Sequence, residues 1–198
     1  MKFDDSGLDE ALGMLDGRLR LNDSPSVRLV VCGGSALIAM DLVHRTTRDV
    51  DVLALVDSTE HLVSPAPFPA YLIEAVREVA LVLELTKHWL NNGPSSDEGG
   101  LFQTGLPDGL FTRAHRKDYG SHLTVYFIDR IDQIFFKVFA AADSLGVHVD
   151  NLEALKPSSA EIRNAARWCM KCDPSEGFRL ILVSMLQQLG YGDVAAGL

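Results

Sequence analysis

The chain has 198 residues, 47% hydrophobic and 23% charged, which excludes a disordered or collagen-like chain and leaves one domain with at most a small annex. A chain of this length buries roughly 70% of its unfolded surface, enough for a real core. Its formal net charge of −9 argues against a general nucleic-acid binder, because neutralising phosphates takes surplus Lys and Arg.

Met1-Lys2-Phe3-Asp4-Asp5 shows no positive region leading into an apolar run, so no secretory signal is expected. The longest apolar stretches are too short for a membrane span, and no membrane partner is expected. Three cysteines, Cys32, Cys169 and Cys172, are an odd, low count that suits a reducing cytoplasm.

Apolar residues at 8, 11, 12, 15 and 19 predict a helix over 8–21, broken by Asn22-Asp23-Ser24-Pro25. The β-branched run 27–32 predicts a buried strand. Gly33-Gly34 ends it, and a helix is expected from Ser35, with Ser35 as its cap. After a polar turn at 45–48, residues 49–56 read as a second strand. A long helix is predicted over 71–90, then a long loop over 91–109 rich in Gly, Pro, Ser and Asn. A short strand over 110–114 and a longer one over 122–128 follow. Helices are predicted over 131–144, over 158–172 with Glu161 in the first turn, and over 177–189. The expected architecture is α/β (α+β): a small mixed sheet flanked by helices over 1–130, and a helical C-terminal region over 131–198 packed on the same cleft.

Two segments carry chemistry. A strand running into Gly33-Gly34 and a helix start leaves backbone N–H groups free, and glycines admit a phosphate without a Cβ in the way; Ser35 adds a hydroxyl. An ordinary tight connection has the same pattern. In Asp49-Val50-Asp51, residues i and i+2 of a strand share a face, about 6–7 Å apart at Cα. Two like charges so placed are tolerated where a divalent cation lies between them, and hard oxygen ligands suit Mg²⁺. The bland reading is an exposed acidic pair on an edge strand, against which stand Val50, Val52, Leu53 and Leu55.

Gly33-Gly34-Ser35 followed by Arg45-Thr46-Thr47-Arg48-Asp49-Val50-Asp51-Val52 resembles the signature of the DNA polymerase β-like nucleotidyltransferase superfamily. The closest likeness is to prokaryotic minimal nucleotidyltransferases, including AbiEii-like toxins of toxin–antitoxin systems. Phe136-Lys137 and the segment from His148 through Asp150 to Leu155 look like that group's downstream Lys and Asp segments. The resemblance covers roughly 27–168. It implies a nucleotidyltransferase fold, Mg²⁺ held by Asp49 and Asp51, and an NTP on Gly33, Gly34 and Ser35. It also implies catalytic roles for Lys137 and Asp150, and an antitoxin as a partner. Many members carry a third carboxylate on a later strand; the strand over 122–128 has none, with Asp129 at its end and Asp150 beyond, and either, or neither, stands in.

Other residues have two readings each. Lys137 interrupts the apolar run 134–141, and is either a surface lysine with a buried stem or aimed at a phosphate. His44, Arg45 and Arg48 fix the loop, or either arginine touches substrate. Arg113, His115, Arg116 and Lys117 are the densest basic cluster, either a solvated loop or a local anion patch. Cys169-Met-Lys-Cys172 lacks a partner pair for zinc and falls at a helix end, which fits structural use. Trp89 and Trp168 are expected on helical apolar faces, in the core.

The expected function is Mg²⁺-dependent transfer of a nucleoside monophosphate from an NTP to an acceptor: a tRNA, a protein side chain or a small molecule. The alternatives are a nucleotide-binding or protein-interaction module of the same fold without turnover, and a structural α/β domain whose glycines only make a turn.

Overall fold

The computed structural model describes residues 3–44, 46–96, 99–143 and 147–198. Mixed α/β structure results, in two compact units, Met1–Asp129 and Arg130–Leu198.

The first unit opens with α1 (Asp5–Leu21), whose N-cap Asp4 accepts from the Gly7 N–H while Arg18 and Arg20 lie in the last turn, where the helix dipole favours cations. It is followed by β1 (Val27–Cys32), α2 (Gly33–Ala39), β2 (Val50–Val56), β3 (Leu62–Val63), α3 (Ala70–Val82) and β4 (Leu90–Asn91). Then come a 3₁₀ turn (Gly93–Ser95), α4 (Leu101–Thr104), α5 (Leu110–Arg113), β5 (His115–Asp118) and β6 (Leu123–Phe127). The strands form one mixed sheet, ordered β3-β2-β1-β6-β5, with β4 also on β2. β1 is antiparallel to β2 and parallel to β6. One face of the sheet meets α1 and α3. Leu8, Leu12, Leu15, Val76 and Val79 from these helices share a core with Leu29, Val31, Val50, Val52 and Phe127.

β2 keeps its register with β1 only through a bulge. Leu29 and Val30 pair with Leu55 and Ala54, but Val31 and Cys32 pair with Val52 and Asp51, so Leu53 is the extra residue. The bulge changes which face each residue meets. Val50, Val52 and Leu55 turn to the α1 side, while Asp51 and Ala54 turn away from it. The Leu53 carbonyl accepts a 2.8 Å hydrogen bond from the buried Ser95 hydroxyl, and Gln103 Nε2 donates to the Ser95 carbonyl. The segment expected as a bare loop over 91–109 thus supplies the bulge with its hydrogen-bond partner.

Several boundaries differ from the sequence expectation. α2 starts at Gly33 with Cys32 as N-cap, so Ser35 lies inside the helix and does not cap it. α3 stops at Val82, not at 90. Glu84 adopts a positive φ of 51° and Leu85 N–H returns to the Ala80 carbonyl, closing the helix. The chain then carries Trp89 back beneath α3, where its Nε1 donates to the Val76 carbonyl at 3.0 Å and its ring meets Phe3 edge-on. Trp89 is a core residue, as expected, but not a helical one. Residues 110–113 are helix and not strand, opened by Gly109 at φ 75°. The strand is β5, which sequence periodicity misses because all four of its side chains are exposed. The basic cluster is therefore partly an edge strand. Arg116 pairs with Asp118, Lys117 with Asp9 and His115 with Asp129.

The second unit is helical: α6 (Arg130–Asp143), α7 (Val147–Ala154), α8 (Ser159–Cys172), α9 (Glu176–Gln188) and α10 (Gly192–Ala195). Trp168 of α8 is surrounded by Phe135, Phe136 and Phe139 of α6 at centroid distances of 5.6–5.8 Å. Ser158 and Glu161 form a capping box at the start of α8. Cys169 is buried, and burial pushes its thiol well above the ordinary range; Cys172 is pushed to about 11. Both stay protonated at neutral pH, which fits the structural reading of this pair.

Asp16 is the buried carboxylate of α1, with 5% of its surface exposed. It accepts from the His122 and Leu123 N–H groups at 2.7 and 2.8 Å, and a Cβ at Gly120 would lie 2.1 Å from its Oδ2. It thereby fixes the β5–β6 turn to α1. Asp16→Ala strands two amides, and a loss of about 3 kcal/mol is expected in urea unfolding. Gly120→Ala should also destabilise, through the clash.

Arg130 holds the Glu161 carboxyl, 2.6 Å away, at about 2, against an ordinary 4.5. The stabilisation is therefore fully present above pH 4.5 and disappears as pH falls toward 2. With partial exposure discounted, about 2 kcal/mol should be lost over that window, read from unfolding at stepped pH. Glu161→Gln should flatten that part of the profile.

Candidate functional site

Strand directions bring the chemistry to one end of the first unit's sheet. β1 runs toward that end and finishes at Cys32-Gly33. β6 runs parallel to it, with Val31 opposite Phe127 and the Ile128 N–H bonded to the Val31 carbonyl. β2 runs the other way and begins there, so Asp51 lies opposite Cys32. Gly33, Asp49, Asp51 and Asp129 therefore meet at the same end.

Gly33 and Asp51 are in direct contact. Gly33 has a φ of 72°, and a Cβ on it would lie 2.5 Å from Asp51 Oδ2. The space that glycine leaves open is filled by this carboxylate. The other oxygen, Oδ1, accepts from Asn91 Nδ2 at 3.2 Å. Asn91 sits opposite Asp51 on β4, and its own Oδ1 accepts from the Gly93 N–H at 2.8 Å, which fixes which end of the amide faces Asp51. Sequence reasoning missed Asn91. Its only signal was the Asn91-Asn92-Gly93-Pro94 turn, and nothing in that pattern names Asp51 as its partner.

Asp49 stands one residue before β2, half-buried, where a strand start was expected. Its Oδ1 accepts from the Thr47 hydroxyl at 3.3 Å. Thr47 is clamped by two backbone hydrogen bonds to Phe3, of 2.7 and 2.9 Å. Phe3 packs on Trp89, whose carbonyl accepts from the Val50 N–H at 2.6 Å. A short N-terminal bridge and one buried aromatic pair thus hold the approach to Asp49. Val50 and Val52, both buried toward α1, separate the two acids from that core and leave them on the opposite side of the strand.

The remaining predicted residues are placed as follows. Ser35 is fully buried, and its hydroxyl donates to the Cys32 carbonyl at 3.4 Å. Gly34 is half-buried in the first turn of α2. Arg48 is exposed, and Arg45 lies outside the described residues. Asp129 Oδ2 lies 3.0 Å from His115 Nε2, in a partly exposed pair in which the carboxylate accepts. Lys137 is half-buried on α6 and Asp150 is exposed on α7, both in the second unit.

The donor set at Asp49 and Asp51 fits a hard divalent cation. Both carboxylates are half-buried and present only oxygen donors. Among the described residues no group of three or more His, Cys, Asp or Glu is placed to hold a metal. A pair of carboxylates suits Mg²⁺ completed by water and ligand phosphate oxygens, and not an all-protein cage. Among the described residues no helix is long and apolar enough to cross a membrane.

Gly33→Ala is expected to destabilise the chain by at least about 1–2 kcal/mol, from the left-handed backbone alone, with the Asp51 clash added. The clash is separable. In a double-mutant cycle, Asp51→Ala should recover part of the loss, whereas additive effects would mean that the two residues are not in contact.

Compared with known proteins, the chain matches no family model, no curated protein and no solved structure.

Proposed function

We propose that the first unit has a nucleotidyltransferase fold and is a Mg²⁺-dependent enzyme that transfers a nucleoside monophosphate from an NTP to an acceptor. The observation that carries this reading is the contact of the Asp51 carboxylate with Gly33, with Asp49 two residues earlier at the same end of the sheet. The glycine turn and the Asp-x-Asp segment, separated in the chain by α2 and the turn after it, meet here. In this reading Asp49 and Asp51 hold the cation, Asn91 and Thr47 orient their carboxylates, and the Gly33-Gly34 turn lies against the phosphates. A bound cation supplies charge neutralisation at the phosphate under attack and at the leaving pyrophosphate. The Ser35 hydroxyl supports the turn through Cys32, and its burial gives it an internal role. Acceptor classes consistent with the reading are a tRNA, a protein side chain and a small molecule, with the net charge favouring the smaller ones.

A second reading, nucleotide binding without turnover, is favoured by one feature. β6 has no carboxylate: Tyr126 takes the position beside Val30, and Ile128 follows beyond Phe127. Asp129, next in the chain, is the carboxylate at that end of the sheet which would serve as base. Pyrophosphate release separates the two readings.

Asp49→Asn and Asp51→Asn should each abolish Mg²⁺-dependent NTP binding in calorimetric titration, with Tm unchanged or raised because a repelling charge is removed. Asp129→Asn should leave NTP binding intact and lower pyrophosphate release by about 10²-fold or more if it is the base. Unchanged NTP affinity in both of the first two variants removes the metal-site assignment.

A further inference from the structure

Beside β4 lies a cavity of about 400 Å³, between this strand and α3. Phe68, Val76 and Leu90 give it an apolar floor; Val76 and Leu90 are nearly fully buried. Arg77, Lys87 and His88, all exposed, form its rim. No carboxylate is among its described lining residues, in a chain whose net charge is −9. Arg77 makes one exposed contact, to Glu74 at 2.8 Å on its own helix, a weak tie that leaves the rest of the guanidinium to a ligand. The volume is that of a small-molecule site. Two permanent cations and an imidazole over an apolar floor match a dianionic phosphate monoester on a flat apolar body better than a single carboxylate.

Val50 pairs with Leu90 and Asp51 with Asn91. Asn91 both lines the cavity and donates to Asp51, while the Asp51 carboxylate itself faces the side of the sheet away from α3.

We propose that this cavity binds an aryl- or nucleobase-sized phosphate monoester, its anion on Arg77, Lys87 and His88 and its flat body on Phe68, Val76 and Leu90. The binding does not rest on the nucleotidyltransferase reading.

The test is a ¹H–¹⁵N NMR titration of the full chain with phenyl phosphate, inorganic phosphate and phenol, each to about 10 mM. Phenyl phosphate should shift the amides of Arg77 and of residues 87–92, and bind at least about tenfold more tightly than either fragment. Lys87→Glu should weaken it at least about tenfold, with the rest of the spectrum unchanged. Shifts centred elsewhere, or unchanged affinity in Lys87→Glu, overturn the site. Absence of NTP-dependent pyrophosphate release overturns the transfer reading alone and leaves the cavity standing.

Discussion

The Asp51 carboxylate fills the space that any side chain at position 33 would need. Three things depend on that contact. Position 33 must be glycine, both for its positive φ and for the room it leaves. β2 must enter the sheet with Asp51 opposite Cys32, which the bulge at Leu53 allows while the rest of the strand keeps its pairing with β1. And the carboxylate must be oriented, which Asn91 does from the neighbouring strand. The hydrophobic core sets the other side of the same constraint. Val50 and Val52 are fully buried against α1 and α3, so the acids between and before them have only the opposite face to occupy.

Electrostatics at this end of the sheet are arranged locally, not by the chain's overall charge. Asp49, Asp51 and Asp129 gather where β1 and β6 end and β2 begins. Each has a polar contact in Thr47, Asn91 or His115. Around the edge of β4 the sign inverts, where the fold brings Arg77 of α3 to the neighbouring pair Lys87 and His88. A net charge of −9 describes neither surface. The second unit solves a different problem, with its aromatic cluster at Trp168 and its Arg130–Glu161 pair building a helical core of its own.

Much of the fold was legible because it follows periodicity. α1, β1, β6, α6, α8 and α9 lie within a few residues of the apolar patterns that announce them, and the Ser158–Glu161 box was readable as a cap. Errors fell where local pattern and tertiary context part. The apolar run after residue 82 continues at helical spacing, but burying Trp89 against Phe3 requires the chain to turn back, and Glu84 takes the left-handed conformation that permits it. β5 has no apolar alternation to detect, because it is an edge strand with every side chain in solvent. At the site, Gly33 and Asp51 were legible as residue types in a pattern. Their contact was not, since it depends on a one-residue bulge. Nor was Asn91, whose importance is set by which strand β4 joins.

The bulge has a bearing on how this chain tolerates change in length. Because side chains alternate along a strand, β2 contains two segments in opposite phase, joined at Leu53. Losing that single leucine would bring the two segments into one phase: Leu29, Val30, Val31 and Cys32 would face Leu55, Ala54, Val52 and Asp51 without interruption. The core and the acids would both keep their places, and the cost would fall on Ser95, buried and deprived of the Leu53 carbonyl that its hydroxyl now reaches. The strand can therefore shorten by one residue at the bulge without choosing between the core and the acids.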